Sequence, residues 1–377
     1  TQNIEVYWLL NYRGGSFLIP STPELLRKCA LRGISTEQLS DAGKQTLLNE
    51  ISNPEINQEA IKLEKAPKIA VYTPGGKQPW DDAVTLVLTY AEIPYDEVYD
   101  ESVFQGQLKK YDWLHLHHED FTGQYGKFYS GYAHTAWYQK EVFDNEAMAK
   151  KLGFNKVSKL KLHTAKTIRE FVFSGGFLFA MCSATDSYDI ALSAEGVDIC
   201  DQIYDGDAAD GNAQSKLDFT KTFAFQNFTL NRDPYFYEYS NLDATVLRNN
   251  GTIREQEDYF TLFEYSAKWD VVPTMLTQCH TATIKGFMGQ STDFYKDYVK
   301  PNVLIMGETK SIGTARYMHG EYGQGMWTFY GGHDPEDYQH LVGDPPTDLN
   351  LHPNSPGYRL ILNNILFPAA KKKKRKT

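Results

Sequence analysis

The segment Ser174–Ser187 limits the possible folds of this chain more than any other. It opens with a glycine pair, continues as a short apolar run, and reaches Cys182 just before a helix-compatible stretch. This pattern is typical of a buried strand that turns sharply into a helix. Such a turn needs small residues two positions before and two positions after its apex, and Ala180 and Ala184 meet that need.

Cys182 is open to two interpretations. Near the start of a helix, backbone N–H groups and the helix dipole favour a thiolate, which predicts a nucleophile. Free cysteine also packs as a small hydrophobic residue, which predicts a structural role in the core. The four cysteines of the chain are widely spaced, without a C-x-x-C pair, so we expect thiols rather than disulfides or a zinc knuckle.

Charge and hydropathy exclude several classes of function. The formal net charge is −10 even with the basic run Lys371–Lys376 included, and an acidic body repels nucleic acid. We expect residues 371–377 to be a disordered, solvated tail, because like charges repel one another. No apolar run approaches the ~20 residues that cross a bilayer, so no transmembrane segment is predicted. The chain begins at Thr1, which predicts a processed or truncated product without its signal peptide.

Strands alternate with helices over much of the sequence. Ile69–Tyr72 and Asp112–His117 are predicted strands, and Asp82–Tyr90 is a predicted helix between them. Val271–Leu276 is a further predicted strand, and residues 315–330 are a predicted hairpin. This alternation predicts an α/β fold with a doubly wound, mostly parallel sheet.

We predict three regions along the chain. Residues 1–65 are N-terminal strand–helix units packed on the main sheet, residues 66–370 are the main α/β domain, and residues 371–377 are the tail. Within the main domain, residues from about 198 to 268 are rich in Asp, Asn and aromatic residues and lack helical periodicity. They are predicted to form an irregular, β-containing insertion.

Polar residues cluster at the predicted carboxyl ends of the strands, where a doubly wound sheet binds its ligand. Cys182 and His333 would form a nucleophile and a base, with Glu336 or Asp334 orienting the imidazole. This arrangement predicts acyl transfer, such as amide hydrolysis through a thioester, whereas a local role for His333 in its loop is the alternative. The residues predicted to contact the substrate are Asp82, His117, His118, Glu119 and Asp186.

Two segments raise the question of a metal ion. His117, His118 and Glu119 are a possible zinc site of a metal-dependent hydrolase, although adjacent histidines also form local hydrogen bonds. Residues 205–211 resemble a calcium loop in part, but Ala209 stands at a ligand position and Lys216 where a glutamate would close the loop. We therefore predict no cofactor, with zinc and calcium as the alternatives.

The sequence resembles the class I glutamine amidotransferase-like superfamily, which includes ThuA-like proteins. Residues 68–128, 175–184 and 322–366 carry the resemblance, and Gly323–Glu336 is the most specific part. The resemblance implies a flavodoxin-like α/β fold with the cysteine at the elbow and the histidine after the last hairpin. Two differences are present: alanines flank Cys182 where glycines are usual, and His333 is one residue farther from the following glutamate.

The whole chain also resembles secreted or envelope proteins of Gram-negative bacteria that carry the label asparagine synthetase B. An ATP-dependent synthetase needs an N-terminal cysteine and an S-G-G-x-D-S loop, whereas Thr1 opens this chain and Leu178 and Phe179 replace Asp and Ser. The resemblance implies a periplasmic or outer-membrane-associated location. Two functions are predicted: a cysteine-dependent amidase or acyl-transfer hydrolase acting on a small amide, or a non-catalytic scaffold of a cell-envelope protein complex.

Overall fold

The computed structural model describes residues 4–76, 78–270 and 273–376. The strands, in chain order, are β1 (Val6–Leu10), β2 (Ser16–Leu18), β3 (Glu59–Leu63), β4 (Ile69–Tyr72), β5 (Asp96–Val98), β6 (Trp113–Leu116), β7 (Phe177–Met181), β8 (Tyr259–Leu262), β9 (Thr283–Lys285), β10 (Phe294–Tyr295), β11 (Leu304–Thr309), β12 (Thr314–Tyr322) and β13 (Gly325–Tyr330). The α-helices are α1 (Pro23–Leu31), α2 (Asp41–Ser52), α3 (Ala83–Tyr90), α4 (Asp100–Phe104), α5 (Tyr129–Tyr132), α6 (Ala136–Lys151), α7 (Val157–Phe173), α8 (Ser183–Ser193), α9 (Gln202–Asp205), α10 (Ala213–Lys216), α11 (Val246–Asn249) and α12 (Pro356–Leu366).

The chain divides into two compact units. One holds the described residues of 1–67, 262–284 and 348–377, and the other holds those of 68–261 and 285–347. The first boundary lies close to the predicted one at residue 65, but residues 262–284 and 348–370 were expected in the main domain. They group with the N-terminal residues because apolar side chains such as Tyr265 and Met275 share a buried cluster with Trp8 and Ile61.

Two further expectations for the first unit differ from the structure. Val271 and Val272 of the predicted strand lie outside the described residues, and Pro273–Thr277 form a 3₁₀ helix instead. Proline cannot donate a hydrogen bond to a strand ladder, which accounts for the difference at Pro273.

The basic run also departs from the expected solvated tail. Lys371 N donates to Lys62 O at 2.9 Å, and the ammonium group of Lys373 donates to Asp270 O at 2.5 Å. Lys373 and Lys376 are 8% and 9% exposed. Lysine buries its aliphatic stem readily when its ammonium finds oxygen acceptors, so these two side chains are buried. The other basic residues of the run, Lys371, Lys372, Lys374 and Arg375, are exposed, as predicted for a solvated segment.

The larger sheet has ten strands in the order β5-β4-β6-β7-β13-β12-β11-β8-β9, with β10 paired to β12. Its first five strands are parallel, and β12 runs antiparallel to β13, β11 and β10. The predicted α/β class is therefore confirmed. Among the residues described, no helix has the length and apolar character to cross a bilayer.

The order of the parallel strands brings the candidate residues together. β4, β6 and β7 are neighbours, and the chain leaves their carboxyl ends toward Asp82, His117 and Cys182 respectively. Leu116 pairs with Ala180 and Met181 pairs with Tyr330, so β6, β7 and β13 end at nearly the same level. Residues that follow these strands consequently share one edge of the sheet.

Residues 198–268, predicted as the insertion, contain the short helices α9, α10 and α11 and the strand β8, joined by long irregular segments. Asp189 of α8 holds one of these segments in place. Its carboxylate accepts the backbone N–H groups of Phe223, Ala224 and Phe225 at 2.6, 2.7 and 2.9 Å. A buried carboxylate thus replaces a strand ladder as the hydrogen-bond partner of irregular backbone.

Candidate functional site

Cys182 lies at the turn between β7 and α8, with φ 49° and ψ −138°. A residue with a side chain pays of order 1–3 kcal/mol for such a conformation, which persists only where the surroundings enforce it. Here Cys182 N donates to Tyr330 O and Ala184 N donates to His117 O, so both sides of the turn are tied to neighbouring strands. Ala180 and Ala184 are fully buried, as a tight strand-to-helix turn requires.

The sulfur of Cys182 is enclosed by backbone. The residue is 2% exposed, and burial raises the pKa of the thiol to about 11, although the N–H groups of Ser291, Ser183 and Gln290 act in the opposite direction. The N–H groups provide a polar environment that would stabilise negative charge on or beside the sulfur. At neutral pH the resting residue is therefore a neutral thiol that requires a base for activation.

Three histidines converge at the same edge of the sheet. The ring centroids of His117 and His333 are 4.3 Å apart, those of His117 and His118 are 5.0 Å apart, and those of His118 and His333 are 5.6 Å apart. One ring nitrogen from each of the three lies within 4.8 Å of the others. The sequence placed His117 and His118 together, and the fold adds His333 from more than 200 positions away.

Asp82 connects the histidine cluster to α3, the helix that begins directly after Asp82. The carboxylate caps α3 by accepting the N–H groups of Val84 and Thr85, and it contacts His115 Nε2 at 3.1 Å and His117 Nδ1 at 3.2 Å. Burial by itself would raise the pKa of Asp82, yet the two imidazoles hold it well below its usual range. Asp82 is therefore a carboxylate that fixes two histidine rings rather than a freely accessible substrate ligand.

His333 has a different orienting partner from the one predicted. Its Nε2 donates to the carbonyl oxygen of Asp81 at 2.9 Å, which leaves Nδ1 with the lone pair. Asp334 Oδ1 accepts the N–H of Glu336 at 2.9 Å, so these two predicted orienting residues contact each other within their loop. No hydrogen bond joins Cys182 Sγ to the His333 ring among the described residues.

His340 is a member of the site that the sequence analysis missed. Its ring stacks on His333 with centroids 4.2 Å apart, and its two nitrogens lie 3.1 Å from Asp81 Oδ1 and from Asp337 Oδ2. Burial opposes protonation, but the two carboxylates outweigh it and raise the pKa of His340 to about 9. The signal was present, since the loop after β13 is rich in His, Asp and Pro.

The remaining predicted residues are close by. Glu119 Oε2 accepts His117 N at 3.2 Å, and burial raises the pKa of Glu119 to about 8. Asp186 Oδ1 accepts the Ser291 hydroxyl at 2.8 Å, and burial raises the pKa of Asp186 to about 7. Asp186 thus supports the segment that covers Cys182, and it is fully buried rather than placed to contact a substrate.

A cavity of about 150 Å³ lies beside His118. Its walls include Trp80, Trp137, Glu119 and Glu141. The indole N–H of Trp80 is directed at His118 Nε2, and the other ring nitrogen of His118 has no hydrogen-bond partner within the described part of the chain. The cavity therefore borders the histidine cluster at His118.

Lys156 contacts two acidic residues of the partial calcium loop and one beside it. The ammonium group of Lys156 lies 2.6 Å from Asp198 Oδ2 and 3.0 Å from Asp205 Oδ2, and it also contacts Asp207. A lysine at this position supplies the positive charge that a calcium ion would bring. A cavity of about 570 Å³ lies next to these residues, and none of the clustered histidines lines it.

No protein-family model and no curated protein matches this chain. Two cytoplasmic proteins of Salmonella typhimurium, STM3548 and STM1381, are similar in structure with TM-scores of 0.37 and 0.39 and identities of 10% and 13%. Each likeness covers 81% of this chain and 100% of the other. The GH42 β-galactosidase Gan42B gives a TM-score of 0.26 at 13% identity over 71% of this chain and 28% of its own. Likenesses this weak support no statement about fold or function.

Proposed function

We propose that this chain is a cysteine-dependent acyl-transfer hydrolase of the amidase kind, with Cys182 as the nucleophile and His333 as the general base. The observation that carries the proposal is the backbone of Cys182, whose φ of 49° stores strain at the turn between β7 and α8. Strain of this kind recurs where a nucleophile is presented at a strand-to-helix elbow. The resemblance to class I glutamine amidotransferase-like proteins agrees with the same assignment.

The reaction has two steps, formation of a thioester at Cys182 and hydrolysis of that thioester. The Cys182 sulfur attacks the acyl carbon, its proton passes to His333 Nδ1, and the leaving amine takes that proton as the thioester forms. Water then attacks the thioester with His333 as base, which releases the carboxylic acid and restores the thiol. The N–H of Ser183, next to the nucleophile, is the candidate donor to the oxyanion.

Three other residues position the base. Asp82 contacts His117 Nδ1 at 3.2 Å, and the His117 ring packs against His333 at 4.3 Å. The carbonyl of Asp81 holds His333 Nε2, so that Nδ1 carries the lone pair. Because Cys182 is 2% exposed, substrate entry requires the segment of residues 289–291 to move away from its sulfur.

An activated ester tests the proposal directly. The full chain is treated with p-nitrophenyl acetate, and peptide mass spectrometry locates the acetyl group. We expect a burst of p-nitrophenol with acetylation at Cys182, loss of both in Cys182→Ala, and strong reduction in His333→Ala. Cys200→Ala is the matched control, because Cys200 is also a buried thiol. Equal acetylation of the wild type and Cys182→Ala would rule out the nucleophile.

The burial of Cys182 also favours the second candidate, a non-catalytic component of a cell-envelope complex. A sulfur that stays covered would make the elbow a structural feature of a scaffold. The resemblance to envelope proteins is the basis for this candidate and for a periplasmic or outer-membrane-associated location. Cross-linking in cells followed by purification at native abundance tests it. A stoichiometric partner together with an unreactive Cys182 would favour the scaffold, and a lone monomer would count against it.

A further inference from the structure

We infer that His117, His118 and His333 bind a divalent transition-metal ion, of the kind represented by Zn²⁺ or Co²⁺. One nitrogen from each ring lies within 4.8 Å of the others. Two nitrogens bound to a tetrahedral zinc ion are roughly 3.4 Å apart, because each zinc–nitrogen bond is about 2.0–2.1 Å. Side-chain movements of about 1 Å therefore bring these three nitrogens into coordinating positions.

His117 supplies an independent reason to expect a ligand. Its side chain is completely buried, and neither ring nitrogen makes a hydrogen bond of good geometry to any residue that the structure describes. A buried polar group left without a partner costs about 1–3 kcal/mol. An ion bound to one nitrogen, with Asp82 beside the other at 3.2 Å, would satisfy both.

Two of the three histidine rings have an oxygen atom beside one ring nitrogen, as metal-binding histidines usually do. A histidine that binds a metal ion normally donates its other N–H to a carboxylate or a carbonyl oxygen. Asp82 stands in this position for His117, and the carbonyl of Asp81 stands there for His333. A proton on the contacting nitrogen leaves the second nitrogen of each neutral ring with its lone pair.

His118 is held differently, because the indole N–H of Trp80 is directed at its Nε2. A ring nitrogen that accepts a hydrogen bond leaves the proton of the neutral ring on the other nitrogen. Binding of an ion by His118 therefore requires the Trp80 contact to open or the ring to turn. Trp80 therefore competes with the metal ion for His118. Breaking the Trp80–His118 hydrogen bond is part of the free-energy cost of binding the ion.

The donor type selects the class of ion. Imidazole nitrogens suit zinc, cobalt, nickel and copper, whereas magnesium and calcium require oxygen ligands. Asp82 is engaged with His115 and His117, so the three imidazole nitrogens are the donors considered for this site. We therefore expect transition metals to bind and Mg²⁺ or Ca²⁺ not to compete.

A bound ion has a consequence for the reaction, which rests on the proposed function. Coordination by His333 uses the same lone pair that accepts the proton from Cys182. The metal-loaded protein should consequently be inactive in acyl transfer, and removal of the ion should restore activity. The site would then act as a metal-dependent off switch.

Cobalt provides a spectroscopic test of binding that does not depend on activity. The full chain, purified without a polyhistidine tag and freed of metal by chelation, is titrated with Co²⁺ while the visible d–d absorption is followed. We expect saturation at one equivalent, displacement by Zn²⁺, and no effect of Mg²⁺. His117→Gln and His333→Gln should each lose the spectrum, whereas the exposed His134→Ala and the thiol variant Cys182→Ser should keep it. Circular dichroism verifies that every variant is folded.

The outcomes separate the two proposals. Absence of a stoichiometric cobalt spectrum in the wild type, or its persistence in both glutamine variants, would overturn the metal site. Cobalt binding with Cys182 acetylated equally in the loaded and the metal-free protein would overturn the off switch. Cobalt binding without acetylation in either form would leave the site in place and remove the proposed function instead.

Discussion

Gly289 lies directly against the sulfur of Cys182. A Cβ added to Gly289 would be 3.0 Å from Cys182 Sγ, 2.8 Å from His333 N and 2.9 Å from Gly332 C. The nucleophile and the main chain of the proposed base therefore border the same small space, and only a residue without a side chain fits between them. This contact also explains why the sulfur is covered, although a strand-to-helix turn of this geometry usually exposes the side chain at its apex.

Gly289→Ala should disturb the site and the stability together. Two of the atoms it meets belong to backbone, which cannot turn aside as a flexible side chain would, so we expect a loss of about 1–3 kcal/mol in the free energy of unfolding. Acetylation of Cys182 should fall with it. Gly131→Ala is the control, because its added Cβ has no atom of a described residue within 4 Å. Urea unfolding would refute the prediction if both variants matched the wild type.

The resting thiol of Cys182 should react slowly with iodoacetamide. Only the thiolate is nucleophilic, and burial raises the pKa of Cys182 to about 11. The half-buried Cys29 is the internal reference. Quantitative peptide mass spectrometry at pH 7.5 should find Cys29 alkylated first, and similar rates only after unfolding in urea. Faster alkylation of Cys182 than of Cys29 in the folded protein would show that its thiolate is already formed.

The local patterns of the sequence predicted the strand-to-helix turn at Cys182 and the helix that begins after Asp82, because small residues and a capping carboxylate act within a few positions. They also brought His117 and Cys182 to one sheet edge through the alternation of strands and helices. They did not predict how His333 is oriented. Its hydrogen-bond partner is the backbone carbonyl oxygen of Asp81. Every residue has such an oxygen, so neither composition nor motif spacing could predict this contact.

Long-range contacts account for the other differences. Gly289 and His340 reach the site from separate loops, and no periodic pattern relates them to Cys182. The positive charge of residues 371–376 predicted a solvated tail. Lys373 is buried nevertheless, because the carbonyl oxygen of Asp270 lies within hydrogen-bonding distance of its ammonium group. Predictions that rest on one segment therefore succeeded more often than those that require two distant segments to meet.

Asp82→Asn should weaken the binding of Co²⁺ by 10–100-fold. Removal of a carboxylate that supports a metal-binding histidine typically has an effect of this size, and Asp82 contacts His117 Nδ1 at 3.2 Å. Asparagine caps a helix as well as aspartate does, so α3 should be unaffected. Asp201→Asn, at the cap of α9, is the matched control. Unchanged affinity in a competition titration would show that Asp82 does not support the site.

Trp80→Phe should have the opposite effect and tighten the binding of Co²⁺. The indole N–H competes with a metal ion for His118, and a hydrogen bond contributes about 0.5–1.5 kcal/mol, equivalent to roughly 2–10-fold in affinity. Phenylalanine keeps an aromatic ring in the wall but removes the donor. Trp137→Phe, in the same aromatic group, controls for the loss of indole packing. Weaker binding in Trp80→Phe than in Trp137→Phe would contradict the competition.

Glu141 should make the protein less stable as the pH rises. Burial, followed by the negative charge of Asp120, raises the pKa of Glu141 to about 7, whereas Lys161 opposes the shift. The unfolded chain has the ordinary value of 4.5, so the folded state binds the extra proton between these limits. The contribution of Glu141 to stability is therefore complete below about pH 4.5 and is lost as the pH passes through 7.

The charged groups around Glu141 line the same cavity or lie on the same helix. They are Glu119, Asp120 and the Lys140–Asp144 pair of α6. Glu141→Gln should remove this slope. Its stability relative to the wild type should therefore rise by about 2–3 kcal/mol between pH 5 and pH 8, measured by urea unfolding at both values. Glu146→Gln, which is exposed on α6, should follow the wild type, and parallel pH profiles of all three proteins would exclude Glu141 as the source.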